Sequence, residues 1–170
     1  MDATNLDYTG APIKAARFSE LDTARNRIDA MLQARGVKFT AKLMGETKRE
    51  DWLCDAWRVS FIRGNAVMET DYFTGTGHRK SNTPNLKPGR FGYMAPSPVT
   101  PCAADVLYSL CLDAEACEMS YQDWCDNFGY NSDSIKALNT YRACESIGHE
   151  LRKVFDHTTR EAFREVLQDY

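Results

Sequence analysis

The stretch that comes nearest to a chemical motif runs from Phe73 to Lys80 and reads FTGTGHRK. Gly75 and Gly77 follow a predicted strand, as they would in a dinucleotide-binding loop, but the third glycine of that loop is missing. No Gly-Lys-Ser/Thr follows either, which excludes a P-loop. The next residues are rich in proline and do not begin a helix whose N-terminus could hold phosphate. The sequence therefore disfavours a nucleotide site at this position.

The histidines and cysteines form no catalytic or metal-binding pattern. The three histidines are His78, His149 and His157, and none lies beside a Ser or Cys in a nucleophile motif. A general base at His78 is the remaining catalytic interpretation, although a histidine at a strand end is more often a surface residue. The six cysteines include no Cys-x-x-Cys pair, so we expect free thiols that act as small apolar side chains. We therefore expect no enzyme, no cofactor and no metal.

The composition indicates a globular chain without a general affinity for nucleic acid. Hydrophobic residues make up 43% of the 170 residues, which is enough for a core. The 21 Lys and Arg residues against 24 Asp and Glu residues give a formal net charge of −3, whereas proteins that coat nucleic acid normally have a basic excess. No secretory signal and no stretch of roughly 18 apolar residues is visible, so we expect a cytosolic location.

Residues 75–101 are predicted to form an irregular basic loop. The segment contains five prolines, and there is no acidic residue between Asp71 and Asp105. Loops of this length in a compact domain are usually functional or mobile. A phosphate backbone or an acidic partner could be bound by its cationic residues and histidine: His78, Arg79, Lys80, Lys87 and Arg90. The alternative is a loop that is only solvated.

Residues 118–133 have the opposite bias, with four acids and no basic residue. Aromatic side chains alternate with the acids, a composition that suits docking into a basic groove of another protein. The predicted partner-binding residues are Glu118, Tyr121, Asp123, Asp126 and Asp133. The alternative is that the aromatic residues belong to the core and the acids cap helices, since Asp123 lies at a capping position.

The same region predicts a helix-turn-helix-like segment. A short helix, capped by Ser120 and ended by Gly129, precedes a longer helix in which Ile135 and Leu138 are spaced to pack on the first. The longer helix would expose residue types that can contact bases or phosphates, namely Lys136, Asn139 and Arg142. Because the nearby acids would repel phosphate, the pattern favours a packing role over a DNA-binding role.

Hydrophobic periodicity places these segments on an α+β fold. Residues 1–17 are predicted to be a flexible N-terminus, and residues 18–74 a helix followed by a three-stranded antiparallel sheet. Residues 45–51 are highly charged and predict a turn between the first two strands. The sequence at 63–66 predicts a tight hairpin, because Gly and Asn tolerate positive φ. Residues 102–170 are predicted to form a bundle of about four helices, packed as one domain with the sheet.

Capping signals predict where the helices begin. Ser19 is expected to cap the first helix, which Gly36 ends. The later helices are expected to begin at Ser132 or Asp133 and at Thr158 or Thr159.

Four groups of residues carry a resemblance to a known family. They are Trp52-x-Cys54-x-x-Trp57-Arg-Val59, Phe73-Thr-Gly-x-Gly-His-Arg79, Ala104-Asp-Val-Leu-Tyr-Ser-Leu110, and Trp124-Cys-x-x-Phe-Gly-Tyr-x-x-Asp-Ser-x-Lys-Ala137 with Tyr141. Together they resemble a family of small phage- and prophage-encoded proteins over about residues 50–155. The resemblance implies a phage setting and brings no catalytic residue. Phage proteins of this size are often inhibitors of host defence, including anti-CRISPR proteins.

The charge pattern and this resemblance lead to one expected function. We expect a phage-encoded, non-enzymatic inhibitor, located in the cytoplasm of the bacterial host, that binds and blocks a host defence nucleoprotein complex. A CRISPR effector is the leading expected partner, with the acidic aromatic segment in its basic nucleic-acid channel. The alternative is a DNA-binding phage accessory protein that uses the helix-turn-helix-like segment together with the basic loop.

Overall fold

The chain forms one helix, a three-stranded antiparallel sheet and then a series of helices, as the α+β prediction states. The computed structural model describes residues 15–49, 52–75, 99–168 and 170. The elements in these ranges are α1 (Ala15–Ala34), β1 (Lys38–Arg49), β2 (Trp52–Arg63), β3 (Ala66–Gly75), α2 (Ala103–Ala114), a 3₁₀ helix (Glu115–Glu118), α3 (Tyr121–Phe128), α4 (Ile135–Val154) and α5 (His157–Val166). None of the described helices is both long enough and apolar enough to span a membrane.

The sheet has the strand order β1-β2-β3, and both pairs of neighbours are antiparallel. The predicted hairpin is confirmed, because β2 ends at Arg63, β3 begins at Ala66 and Gly64 has a φ of 57°. A positive φ at this position is the reason that a glycine suits the turn.

The first strand is longer than the sequence predicts. The charged stretch 45–51 reads as a turn, but β1 continues to Arg49 and stays paired with β2. A bulge between Leu43 and Gly45 interrupts the register, and Gly45 has a φ of 128°. An extra residue at a bulge breaks the alternation of side chains, which hides the second half of the strand from a period-two pattern.

One face of the sheet packs against the helices and forms the main core. Trp57, Val59 and Phe61 of β2 are buried, as the alternation predicts. The ring of Phe61 lies 5.0 Å from that of Phe39 in β1 and 5.6 Å from that of Phe155, which follows α4. The predicted inner face of α2 is also buried: Val106, Leu107, Leu110 and Cys111. Buried residues of α1, α4 and α5 belong to the same cluster, so sheet and helices share one core.

The N-terminal boundary of α1 differs from the prediction. The helix begins at Ala15, so Ser19 lies within it and three helical residues fall in the segment 1–17 that was expected to be flexible. The predicted stop is confirmed, because Gly36 follows the helix with a φ of 67°. The rest of that N-terminal segment lies outside the described residues. Most of the predicted loop 75–101 does too, although Gly75 belongs to β3 and residues 99–101 have no regular structure.

The caps of α4 and α5 also differ from the predicted positions. Ser134 caps α4 by accepting a hydrogen bond from the backbone N–H of Ala137 at 3.4 Å. Asp156 caps α5 by accepting one from the backbone N–H of Thr159 at 2.7 Å. Each segment holds more than one residue type that can cap a helix, and tertiary packing decides which of them is used.

Candidate functional site

The acidic segment contains a short helix with a capping residue at each end. The Oγ atom of Ser120 accepts a hydrogen bond from the backbone N–H of Asp123 at 3.1 Å, as the sequence predicts. At the other end Gly129 adopts a left-handed conformation with a φ of 75°. The backbone N–H of Tyr130 then donates to the carbonyl of Cys125 at 2.9 Å. These bonds define where α3 begins and where the chain leaves it.

Hydrogen bonds also hold the turn between α3 and α4. The side chain of Asn131 accepts from the backbone N–H of Asp133 at 3.0 Å, and its carbonyl accepts from that of Ser134 at 3.0 Å. The hydroxyl of Tyr121 donates to the carbonyl of Ser132 at 2.8 Å. The turn therefore has a defined shape, and the side chains on it have defined positions relative to α4.

A small second core joins α3 to α4. Its buried residues are Ala116, Trp124, Cys125 and Ala137. The ring of Trp124, which is 3% exposed, stacks on that of Tyr130 with centroids 4.7 Å apart and meets that of Tyr141 edge-on at 5.4 Å. The hydroxyl of Tyr141 donates to the carbonyl of Met119 at 2.9 Å. This cluster holds α3, the turn and the first half of α4 together.

Acidic and apolar side chains are exposed together on this unit. Asp123, Asp126 and Asp133 are all exposed, and Asp126 accepts a hydrogen bond from Gln122 at 3.0 Å. The exposed apolar residues are Phe128 at 39%, Tyr130 at 38% and Ile135 at 77%. We call these six residues, Asp123, Asp126, Phe128, Tyr130, Asp133 and Ile135, the acidic-apolar end.

The position of Ile135 corrects the sequence prediction. Its spacing to Leu138 predicts that it packs on the preceding helix, but Ile135 is the first residue of α4 and most of its surface is exposed. Ala137 takes the buried position and belongs to the same small core as Trp124. The correction adds a large apolar side chain to the exposed surface.

Two of the predicted partner-binding residues already have contacts within the chain. The ring of Tyr121 packs against the small core, and its hydroxyl is bonded to the turn. The carboxylate of Glu118 accepts a hydrogen bond from Arg164 at 3.2 Å. Their role in binding a partner stays a prediction. In the structure Tyr121 supports the turn of the acidic-apolar end, whereas Glu118 is exposed and pairs with Arg164 of α5.

The predicted basic residues fall into two groups. Lys136, Asn139 and Arg142 are exposed and lie three residues apart, which places them on neighbouring parts of the α4 surface. Lys136 lies only three residues after Asp133, so the first turn of α4 brings a cation close to the acids. The other group lies outside the described residues: His78, Arg79, Lys80, Lys87 and Arg90.

Four of the six cysteines have environments that keep them protonated. Burial raises the pKa of Cys111 to about 11, and burial together with the carboxylate of Asp113 raises the pKa of Cys144 to about 12. Burial also raises the pKa of Cys102 and Cys117 above the usual thiol range. A thiol must ionise to attack a substrate or bind a metal, so these four are poor nucleophiles at neutral pH. In the described ranges no group of three or more His, Cys, Asp or Glu residues could hold a metal ion.

A half-buried polar cluster joins residues that no sequence pattern connects. The hydroxyl of Tyr170 donates to Asp105 and accepts a hydrogen bond from Arg25 at 2.9 Å, although Arg25 and Tyr170 are 145 positions apart. Arg25 also lies 3.5 Å from the carboxylate of Asp105. The Sγ atom of Cys102 is 3.9 Å from the Tyr170 hydroxyl, but its raised pKa argues against a catalytic thiol. The cluster ties α1 and α2 to residue 170.

A cleft of about 570 Å³ lies where α1 and β2 end and α5 begins. Arg35 and Arg63 line it, which suggests an anion site at first sight. The carboxylate of Asp156 occupies the helix N-terminus there, and its pKa is lowered by hydrogen bonds from Thr159 and by the two arginines. The carboxylate of Asp156 is itself the anion beside the two arginines. The positive charge of the cleft is therefore explained by the residue that caps α5.

Comparison of the chain with models of protein families, with curated proteins and with solved structures found no match.

Proposed function

We propose that this chain is a phage-encoded, non-enzymatic inhibitor that binds and blocks a host defence nucleoprotein complex in the host cytoplasm, with a CRISPR effector as the leading partner. The observation that carries the binding part is the acidic-apolar end, where three carboxylates and three large apolar side chains are exposed together. The nature of the partner rests on the sequence resemblance to phage proteins and on the sign of the surface charge.

The apolar residues of this end are suited to act as anchors. Aromatic side chains dominate the binding energy of many interfaces when they fill a pocket on the partner. Tyr130 is already stacked on the buried ring of Trp124, and Phe128 lies 5.6 Å from the same ring. Because this contact holds the two aromatic rings before binding, little side-chain entropy is lost when a partner covers them.

The carboxylates determine the sign of the partner surface. Asp123, Asp126 and Asp133 are exposed on the same helix and turn as the apolar residues, and the segment 118–133 contains no basic residue. A rim of one sign raises the association rate with a surface of the opposite sign and disfavours partners of like sign. A groove that binds nucleic acid is lined by Lys and Arg, and this end would compete for it.

The test is a charge reversal with a matched control. The triple variant Asp123→Lys, Asp126→Lys, Asp133→Lys changes the acidic-apolar end, and Asp29→Lys, Glu46→Lys, Glu165→Lys changes three exposed acids elsewhere by the same total charge. We expect the first variant to bind at least tenfold less of the host partner than the wild-type chain does, and the control to bind the wild-type amount. Thermal unfolding of both variants shows whether the fold is intact, since Asp123 also favours the N-terminus of α3.

The capture is made from host lysate, with and without nuclease. Protein-mediated binding survives nuclease treatment, whereas capture through bound nucleic acid does not. Equal capture by the reversed variant and the control would remove the acidic-apolar end as the interface.

A further inference from the structure

The exposed surface of α4 is positively charged in a chain whose net charge is −3. Its exposed residues are Ile135, Lys136, Asn139, Arg142, Ala143, Ser146, His149, Arg152 and Lys153, with four cations and no acid. The two acids of the helix, Glu145 and Glu150, are half-buried, and Glu150 pairs with Lys153 at 2.6 Å. We call these nine exposed residues the basic face of α4.

The basic face runs along the length of α4. The helix has 20 residues, and the rise of an α-helix places Lys136 about 26 Å from Lys153 along its axis. The opposite side carries the buried residues Ala137, Gly148 and Leu151, which pack on the rest of the fold. The cations therefore project from a helix that is held along its whole length.

We infer that the basic face of α4 contacts the phosphate backbone of duplex DNA. The contact is centred on Arg142, Ser146 and Arg152, and it does not involve the first turn of the helix. Asp133 precedes that turn and would repel phosphate, but Arg142 lies seven residues beyond Ile135, the first residue of α4, or about 10 Å along the helix axis. Repulsion between charges falls with distance and is screened over about 10 Å at 0.1 M salt, so Asp133 weakens a phosphate contact less at Arg142 than at Lys136.

Duplex DNA fits this surface better than duplex RNA. The major groove of B-form DNA is about 12 Å wide and admits an α-helix, whereas the major groove of an A-form duplex is deep and narrow. Arg and Ser are among the residue types that bond to phosphate oxygens, and such contacts position a protein without reading the base sequence. We therefore expect binding that depends on salt and hardly on sequence.

This inference goes beyond the proposed function, because it requires no host protein. The test uses the full chain and a fluorescently labelled duplex of about 20 bp, with anisotropy measured from about 25 mM to 200 mM salt. The variant Arg142→Ala, Arg152→Ala removes two cations from the basic face. The control Lys38→Ala, Lys42→Ala removes two exposed cations from the outer face of β1.

We expect the wild-type chain to bind the duplex at low salt. The plot of log K against the logarithm of the salt concentration should have a slope of about −3, for three phosphate contacts by Arg142, Arg152 and Lys153. The α4 variant should bind about tenfold more weakly, with a slope smaller in magnitude by about 2, while the control stays within about twofold. The inference is overturned by undetectable binding at about 25 mM salt, by an equal loss in the control, or by equally tight binding of an RNA duplex of the same sequence.

Discussion

Gly148 is the position where the close approach of two elements can be tested most directly. A Cβ atom added there would lie 2.3 Å from the Sγ atom of Cys117 and 3.4 Å from the Cα atom of Ala114. Non-bonded heavy atoms are favourable at about 3.5–4.0 Å, so the contact with sulfur is more than 1 Å too short. The thiol of Cys117 donates a hydrogen bond to the carbonyl of Glu145 at 3.2 Å. Relief of the clash therefore breaks that hydrogen bond or moves α4.

The expected cost of Gly148→Ala follows from two opposing effects. Overpacking of this kind costs about 1–3 kcal/mol of unfolding free energy, while alanine in place of glycine within a helix gains about 1 kcal/mol. We expect a net loss of about 1 kcal/mol, within a range of about 0–2 kcal/mol, and 1 kcal/mol corresponds to about 2–4 °C in Tm for a chain of this size. Urea or guanidinium denaturation followed by circular dichroism measures the free energy.

A double-mutant cycle with Cys117→Ala isolates the clash. Without the sulfur the nearest atoms to the new Cβ are at 3.4 Å, so Gly148→Ala should then stabilise the chain by about 0.5–1 kcal/mol. The coupling energy between the two changes should therefore be about 2 kcal/mol. Gly36→Ala is the control: its φ of 67° makes the change costly through backbone strain, but no atom lies within 4 Å of the added Cβ, so the cost should not depend on residue 117. If the cost of Gly148→Ala is the same with Cys or Ala at 117, the reasoning is refuted.

Two further predictions concern Trp124 and Asp156. Trp124→Ala removes the buried ring beneath Tyr130 and should lower the free energy of unfolding by about 3 kcal/mol. The variant should also bind less of the host partner. Unchanged stability in a denaturant titration would contradict the small core. Asp156 has a lowered pKa in the folded state, so its stabilisation is present above about pH 4, the usual Asp pKa, and is lost as the pH falls through the folded value. Asp156→Asn keeps a capping side chain but cannot titrate, so the Tm advantage of the wild type over this variant should shrink between about pH 5 and pH 2.5; a constant difference would contradict the assignment.

The sequence identified the architecture because its local signals agree with the fold. The alternation at Trp57, Val59 and Phe61 and the hairpin at Gly64 both predict the sheet, and the structure shows both. The prediction failed where a local signal was ambiguous. The bulge before Gly45 hid the second half of β1, and Ile135 matched a helical packing pattern although it lies at the exposed end of α4.

The candidate binding surfaces were also predictable from the sequence only in part. Residue types and charge are properties of the sequence, so the acidic segment 118–133 could be selected without coordinates. Ion pairs can join residues that are distant in the chain, so only the tertiary structure showed that Glu118, although exposed, is paired with Arg164. The basic face of α4 emerged in full only when burial of Ala137, Gly148 and Leu151 showed which side of the helix the core covers. The physical reason is that charge is encoded residue by residue, whereas the surface on which it acts is created by packing.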